Sequence, residues 1–389
     1  MRLPANQQSH GITPKWSHDD RSRQAFQRTV RENVIRKLGT GSRVLFDKKV
    51  KPRFEKNSGR PFKNRQELKT EMLAEPYYQA HLSIQRTAQE LMWASATYSI
   101  ERQLIDLNAR AKQTGHTLGS LEVDPELQPP RYITSLDIHC QPGGYCLDLG
   151  DDDVCAGAIY DKGAYMYGSG QGGPLNDRGA KMVLRYIKRE WPELKPNRVL
   201  DMGCATGTNT VPYCIAYPDA KVHGIDVAAG LLRYGHARAE SLGHAVHFSQ
   251  QNAEKTKFDD ESFDLIVSCI LLHETSTKAL PNIIAESRRL LRPGGMMVHM
   301  DAGGFADMDL FRQLIFDNET YNNNEPFWST FRELDIEKLA VDAGFDADKV
   351  IYHCESFDKA EESSNKPRRA LKEASTAVVR GFYLLVGGK

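Results

Sequence analysis

The residues able to do chemistry gather around a short loop of small side chains. Val199-Leu200-Asp201-Met202-Gly203-Cys204-Ala205-Thr206-Gly207 runs two apolar residues into an acid and then into a turn. Missing side chains let a ligand lie against backbone N–H groups, as in the strand–loop–helix units that bind nucleotides. An acid at the end of the strand would repel a pyrophosphate and suit an ammonium group. About 20 residues past the loop, where an acid usually grips a ribose diol, a second apolar run ends in Asp226. Further on stands Leu271-Leu272-His273-Glu274. An imidazole near its ordinary pKa can take a proton from a hydroxyl, thiol or amine, with Glu274 to orient it. Equally, His273 packs in the pocket and only shapes it.

These residues need a sheet to hold them in line. Apolar runs at 199–202, 220–226, 245–250, 263–269 and 296–301 read as five strands. Leu280, Ile283, Ile284, Leu290 and Leu291 recur at helical spacing, and Arg292-Pro293-Gly294-Gly295 then turns the chain into the fifth strand. Residues 177–191 read as the helix that enters the core, with further helices at 308–316 and 331–341 separated by Asn322-Asn323-Asn324 and Pro326. Strands at 350–354 and 382–386 close the chain, joined by the charged piece 359–372.

Taken in order, these motifs resemble the class I S-adenosylmethionine (SAM)-dependent methyltransferases over roughly residues 177–305, especially the broad group that includes the ubiquinone/menaquinone-biosynthesis enzymes. The resemblance implies an α/β fold: a Rossmann-like core with a mostly parallel seven-stranded sheet, an antiparallel last strand and an N-terminal helical cap. It implies SAM as cofactor and a role for each matching position. Asp201 would face the amino group of the methionine portion, with Gly203, Cys204, Ala205 and Gly207 as close-approaching backbone. Asp226 would accept the ribose hydroxyls, Val227 would lie on the adenine, and Asn252 and Ala253 would read its edge. Ser268 and Ile270 would border the sulfonium. Tyr160 and Tyr167, with Tyr165, fall where related enzymes fold a lid, and aromatic faces suit a sulfonium cation. Two positions depart from the family pattern. Ala205 replaces the middle glycine, and Asn252 stands where many relatives have Asp, keeping an acceptor without the charge.

A chain of 389 residues allows two or three domains. The expected division is a basic, partly extended arm over 1–70, a helical cap and linker over 71–135, a turn-rich lid over 136–176 and the SAM-binding domain over 177–389. Net charge is zero but uneven, with 18 Lys and Arg against 6 Asp and Glu in residues 1–70. Such an arm suits nucleic acid, an anionic surface or an acidic face of its own chain, and the acidic body favours the last. Within it, 22–38 carries Phe26, Val30, Val34 and Ile35 at helical spacing, with Gly39, Gly41, Pro52, Gly59 and Pro61 as breaks. The cap helices at 76–112 could cover the substrate or form a homodimer face. Gly168 to Gly173 reads as a hinge rather than a phosphate loop.

Seven cysteines without a tight spacing point to free thiols in the cytoplasm, and no zinc spacing or other metal motif is present. The N-terminus shows no signal peptide and no window reaches membrane-spanning length, so no membrane partner is expected. The chain lacks the Asn/Asp-Pro-Pro-aromatic turn of exocyclic-amine nucleic-acid enzymes, reading Ser268-Cys269-Ile270-Leu271 instead. The expected activity is therefore methyl transfer to a hydroxyl or thiol, or else a nitrogen or carbon, of a small metabolite. The alternatives are an RNA methyltransferase using the basic arm and a SAM-binding protein without catalysis.

Overall fold

A computed structural model describes residues 7–114, 117–306, 308–356 and 381–389. The connecting piece 359–372 lies outside the described residues. Eight strands form one sheet: β1 (Ser120–Glu122), β2 (Arg198–Met202), β3 (Lys221–Asp226), β4 (Val246–Gln250), β5 (Phe263–Cys269), β6 (Leu291–Asp301), β7 (Ile351–Ser356) and β8 (Gly381–Gly388). Their spatial order is β1-β4-β3-β2-β5-β6-β8-β7. Only β8 runs against its neighbours, pairing antiparallel with β6 and β7. The expected mostly parallel sheet with an antiparallel last strand is therefore present.

Helices cover both faces, which is why the central strands are almost continuously apolar. On one face Leu280, Ile283 and Ile284 of Ala279–Leu290 pack with Ile336 and Ala340 onto Leu200, Ile266 and Met297. On the other, Met182, Val183 and Ile187 of Arg178–Glu190 pack onto Val199, Leu265 and Val298. Strand order reverses between β2 and β5, and a crevice opens there beyond the carboxyl ends of the strands.

The structure corrects the sequence reading in four places. First, the sheet has eight strands, not seven: β1, in the stretch read as linker, pairs parallel with β4. Gly119 permits this, since a Cβ there would meet the Val246 carbonyl at 2.1 Å. The buried Glu240 carboxylate holds the turn by accepting the Gly119 and Leu118 N–H groups at 2.7 and 3.0 Å.

Second, the arm is not partly extended: residues 18–58 form one continuous helical run, widened by π turns at Val30–Ile35 and Phe46–Val50. Ser17 and Asp20 start it with a capping box, and Gly59 in the left-handed conformation ends it. Gly41 is a contact rather than a break, since a Cβ there would meet the Tyr77 hydroxyl at 1.9 Å. The π turn before Pro52 rearranges the ladder in which its missing N–H would count. Much of the arm's charge is spent within the chain: Lys49 and Arg53 pair with Glu75 at 2.7 Å each, and Lys69 with Asp317 at 3.0 Å.

Third, the segment read as turn-rich contains the buried helix Cys155–Tyr167. Its small residues allow close packing, Gly157 against Tyr234 and Gly163 against Trp93. It shares a core with Met92, Trp93, Ala96 and Ile100 of the long helix Pro76–Glu101. Fourth, the helix expected over 331–341 is two pieces, Trp328–Phe331 and Ile336–Asp342, because Asp335 caps the second by accepting the Lys338 N–H at 3.0 Å. No helix among the described residues is long and apolar enough to cross a membrane.

Candidate active site

A cavity of about 2180 Å³ lies over the carboxyl ends of β2, β3 and β5. Its floor includes Gly203, Ala205, Asp226, Val227, Asn252 and Ala253, and Ile270, His273 and Glu274 form one wall. The arm helix roofs it with Arg28, Arg31 and Arg36, and the 168–173 loop lies along its rim. Eleven of the fifteen residues selected from the sequence therefore meet at one cavity, Tyr160 and Tyr167 included.

The floor is built by backbone geometry. Gly203 and Gly207 both have φ of 67°, and Ala205 has 47°. This left-handed conformation is cheap for glycine and strained for alanine. Asp226 steadies the turn: one carboxylate oxygen accepts the Ala205 N–H at 2.9 Å, the other the Ala228 N–H at 3.0 Å. Burial raises the Asp226 carboxyl, and these N–H groups oppose the rise. Ile270 also has positive φ, 61°, and donates its N–H to the Met300 carbonyl at 2.8 Å. A β-branched residue in that region is a true outlier, and such strain gathers at functional sites.

Four selected residues do not line the cavity. Asp201 is 2 % exposed and turns toward Thr210, whose hydroxyl donates to it at 2.5 Å. Burial pushes its carboxyl up to about 7, with Thr210 pulling the other way. Cys204 is buried against Gly224, and burial drives its thiol far above the usual range. Gly207 packs on Phe248. Ser268 faces the core, 2.8 Å from His299 Nδ1, and His299 Nε2 lies 3.2 Å from Ser287. The expectation that Ser268 borders the ligand is thereby corrected: side chains alternate along β5, and its neighbour Cys269 takes the cavity side.

His273 differs in its chemistry from the reading as a neutral base. Its Nδ1 lies 2.5 Å from Asp301 Oδ1, at the end of β6, and Asp301 Oδ2 accepts the Leu272 N–H at 2.8 Å. Burial works against a charged ring, but Asp301, with Glu274 and Glu325 beyond it, pushes the imidazole up to about 9. His273 is thus an imidazolium at neutral pH. Glu274 does not orient it: the two are 3.7 Å apart, and Glu274 instead pairs with His139 Nε2 at 2.9 Å and accepts the Tyr145 hydroxyl at 3.1 Å.

Around this pair stand residues that sequence reading weighed lightly or missed. His139 has φ of 57° and lies 3.2 Å from Glu325 through Nδ1. Burial opposes its charge too, yet Glu325 and Glu274 push it up to about 9. Asn323 donates to the Tyr167 hydroxyl at 3.1 Å and to Glu325. Glu325 is 3 % exposed, and burial pushes it up to about 7 against the pull of His139 and His273. Among the described residues no group of three or more His, Cys, Asp or Glu is arranged to hold a metal ion.

Residues 199–295 match a methyltransferase-domain family model. The ubiquinone/menaquinone biosynthesis C-methyltransferase UbiE of Pseudomonas syringae is 31 % identical over 176 residues, covering 40 % of this chain and 67 % of that one. A stretch of the highly reducing polyketide synthase easB of Emericella nidulans is 28 % identical over 152 residues, covering 36 % of this chain and 6 % of that one. Among solved structures, phosphoethanolamine N-methyltransferase 2 of Haemonchus contortus, in complex with phosphomonomethylethanolamine and S-adenosylhomocysteine, is 18 % identical at a TM-score of 0.43, over 59 % of this chain and 58 % of that one. With the strand order, the loop after β2 and the acid ending β3 in place, the chain belongs to the class I SAM-dependent methyltransferases.

Proposed function

We propose that this enzyme transfers the methyl group of SAM to a proton-bearing acceptor on a small molecule enclosed in the cavity. One observation carries the reading: Asp226 at the tip of β3 and the polar cluster around Glu274 open onto the same cavity. When bound, SAM supplies an already activated methyl on a cationic sulfur, so the protein's work is alignment and exclusion of water. The floor fits that ligand. Asp226 would take the ribose hydroxyls, Val227 the adenine face, Asn252 and Ala253 its edge, and Gly203 and Ala205 the closest backbone approach. Ile270 and Tyr160 would stand beside the sulfonium. Asp201 would act through Thr210 and the shape of the loop rather than by contact.

On the acceptor side His273 holds its proton and serves as a hydrogen-bond donor, so proton removal falls to a carboxylate. The ion pairs of the arm with Glu75 and Asp317 support a small substrate over RNA. The UbiE relatives are named for transfer to carbon; the carboxylate-rich wall here supports an acceptor that must lose a proton. Seven free thiols support a cytoplasmic location. Calorimetric titration of SAM tests the reading: Asp226→Ala should weaken binding at least ~150-fold, the order of two lost hydrogen bonds to a charged group. Unchanged affinity removes Asp226 from the site.

A further inference from the structure

The buried wall of the cavity has an uneven hydrogen-bond inventory. Among the described residues two carboxylate oxygens in it have no hydrogen-bond partner, Glu274 Oε2 and Glu325 Oε2, the latter 3.8 Å from His273 Nε2. Both residues line the cavity, and each is more than nine-tenths buried. Both atoms are acceptors, and leaving a buried acceptor without a hydrogen bond is costly. The carboxyls of Asp301, Glu274, Glu325 and the neighbouring Glu319 face His139 and His273, with Arg332 acting on Asp301 and Glu325, and Arg31 and Arg332 on Glu319. A ligand that completes this wall must bring N–H or O–H hydrogens. A hydroxyl has one hydrogen to offer. A primary or secondary ammonium has two or more.

The roof has the opposite character. Arg28 and Arg36 line the cavity without an acidic partner among the described residues. Arg31 donates to Gln89 and to the Tyr167 carbonyl, and its guanidinium stacks 4.6 Å from the Tyr167 ring centroid. Among the described residues the roof sets only Glu32 against these three cations, since Asp309, which also lines the cavity, is paired with Arg43. On its other side Tyr167 reaches the acceptor wall through Asn323. Tyr167 therefore stands between the cationic rim and the acceptor wall.

We propose, building on the methyl-transfer reading above, that the acceptor is the nitrogen of a small amine that also bears an anionic group, with the amine against Glu274 and Glu325 and the anion beneath Arg28 and Arg36. The amine enters as an ammonium. Glu325 takes one N–H proton, the freed nitrogen lone pair forms the N–CH3 bond, and the S–CH3 pair returns to sulfur as a neutral thioether. The N-methylammonium leaves with its charge, and Glu325 gives its proton to water. Glu325 faces His139, His273, Glu274, Glu319 and Arg332, with the Tyr145 and Tyr167 hydroxyls beside it, so its proton affinity depends on all of them.

The test incubates the full chain with methyl-tritiated SAM and the low-molecular-weight fraction of a cell extract, then identifies the labelled product by mass spectrometry and ion exchange. The expected product is an N-methyl compound with a carboxylate or phosphate, phosphatase sensitivity telling the two apart. A labelled O-, S- or C-methyl product, or an N-methyl product without an anionic group, overturns this inference and leaves the methyl-transfer reading standing. No labelled product, with SAM binding confirmed by calorimetry, overturns both. On the identified acceptor, Glu325→Gln should lower kcat about 100-fold, within the usual range for a lost general base, and remove the rise of kcat with pH near neutrality. Arg36→Gln should raise KM about tenfold with kcat within twofold. An unchanged pH profile in the first variant, or an unchanged KM in the second, counts against the assignment.

Discussion

Replacing Asp301 by Asn tests whether His273 is held as a cation. Asp301 contacts His273 Nδ1 at 2.5 Å and accepts the backbone N–H groups of Leu272 and Ala302 at 2.8 and 2.6 Å. An amide has one acceptor and no charge, so the variant loses the ion pair and part of the backbone anchoring. In the native fold the imidazole is pushed up to about 9, against an ordinary value of 6.5. At about 1.4 kcal/mol per pH unit, that gap corresponds to roughly 3 kcal/mol of folding stability. The sign follows from a folded value above the unfolded one: the stabilisation is complete below pH 6.5 and is lost as pH rises through 9. Asp301→Asn should therefore be less stable than the native chain by about 3 kcal/mol at pH 6, plus a constant part from the backbone bonds. The pH-dependent part should vanish by pH 10. Urea unfolding across that range measures the difference, and imidazole nitrogen-15 shifts report the protonation of His273 directly. A stability gap that does not change between pH 6 and 10, or a native His273 that titrates near 6.5, would refute the reasoning.

Two further outcomes follow from the residues behind the cavity. Ser268→Ala should leave SAM affinity within about twofold yet destabilise the fold by about 1–3 kcal/mol, because it strands the buried His299 Nδ1; calorimetry and urea unfolding separate the two effects. Asp201→Asn should stabilise the ligand-free protein. Its carboxyl rises to about 7 from 3.8, so ionisation costs stability as pH climbs between those values. The gain should be small at pH 4 and reach at most about 4 kcal/mol above pH 7, opposite in sign to the Asp301→Asn deficit, which shrinks as pH rises. A melting-temperature difference independent of pH would count against the buried, raised carboxyl.

The chemistry of the floor was legible because it is local. Asp201 and Asp226 end short apolar runs next to small-residue turns, and strand geometry alone brings such ends together. The acceptor wall was not legible in the same way. Glu325 and Asn323 lie in the Asn-rich stretch that reads as a separator between helices, and they reach His139 only through the tertiary fold. Asp301 did leave a signal: like the other two acids, it ends an apolar strand of the same sheet edge. Ser268 was misplaced by one step of the β alternation. The arm was misread because Gly39, Gly41 and Pro52 suggest breaks, whereas Gly41 provides close approach to Tyr77. The edge strand β1 is three residues long, too short for any period-two pattern to register.

The central claim is that an adenosyl group lies on the strand tips of β2 and β3. A crystal structure of the full chain with S-adenosylhomocysteine tests it most directly. The expected density places the ribose hydroxyls on the Asp226 carboxylate, the adenine between Val227 and Asn252, and the sulfur toward Ile270 and Tyr160. A nucleoside bound elsewhere, with Asp226 still bonded only to the Ala205 and Ala228 N–H groups, would contradict it.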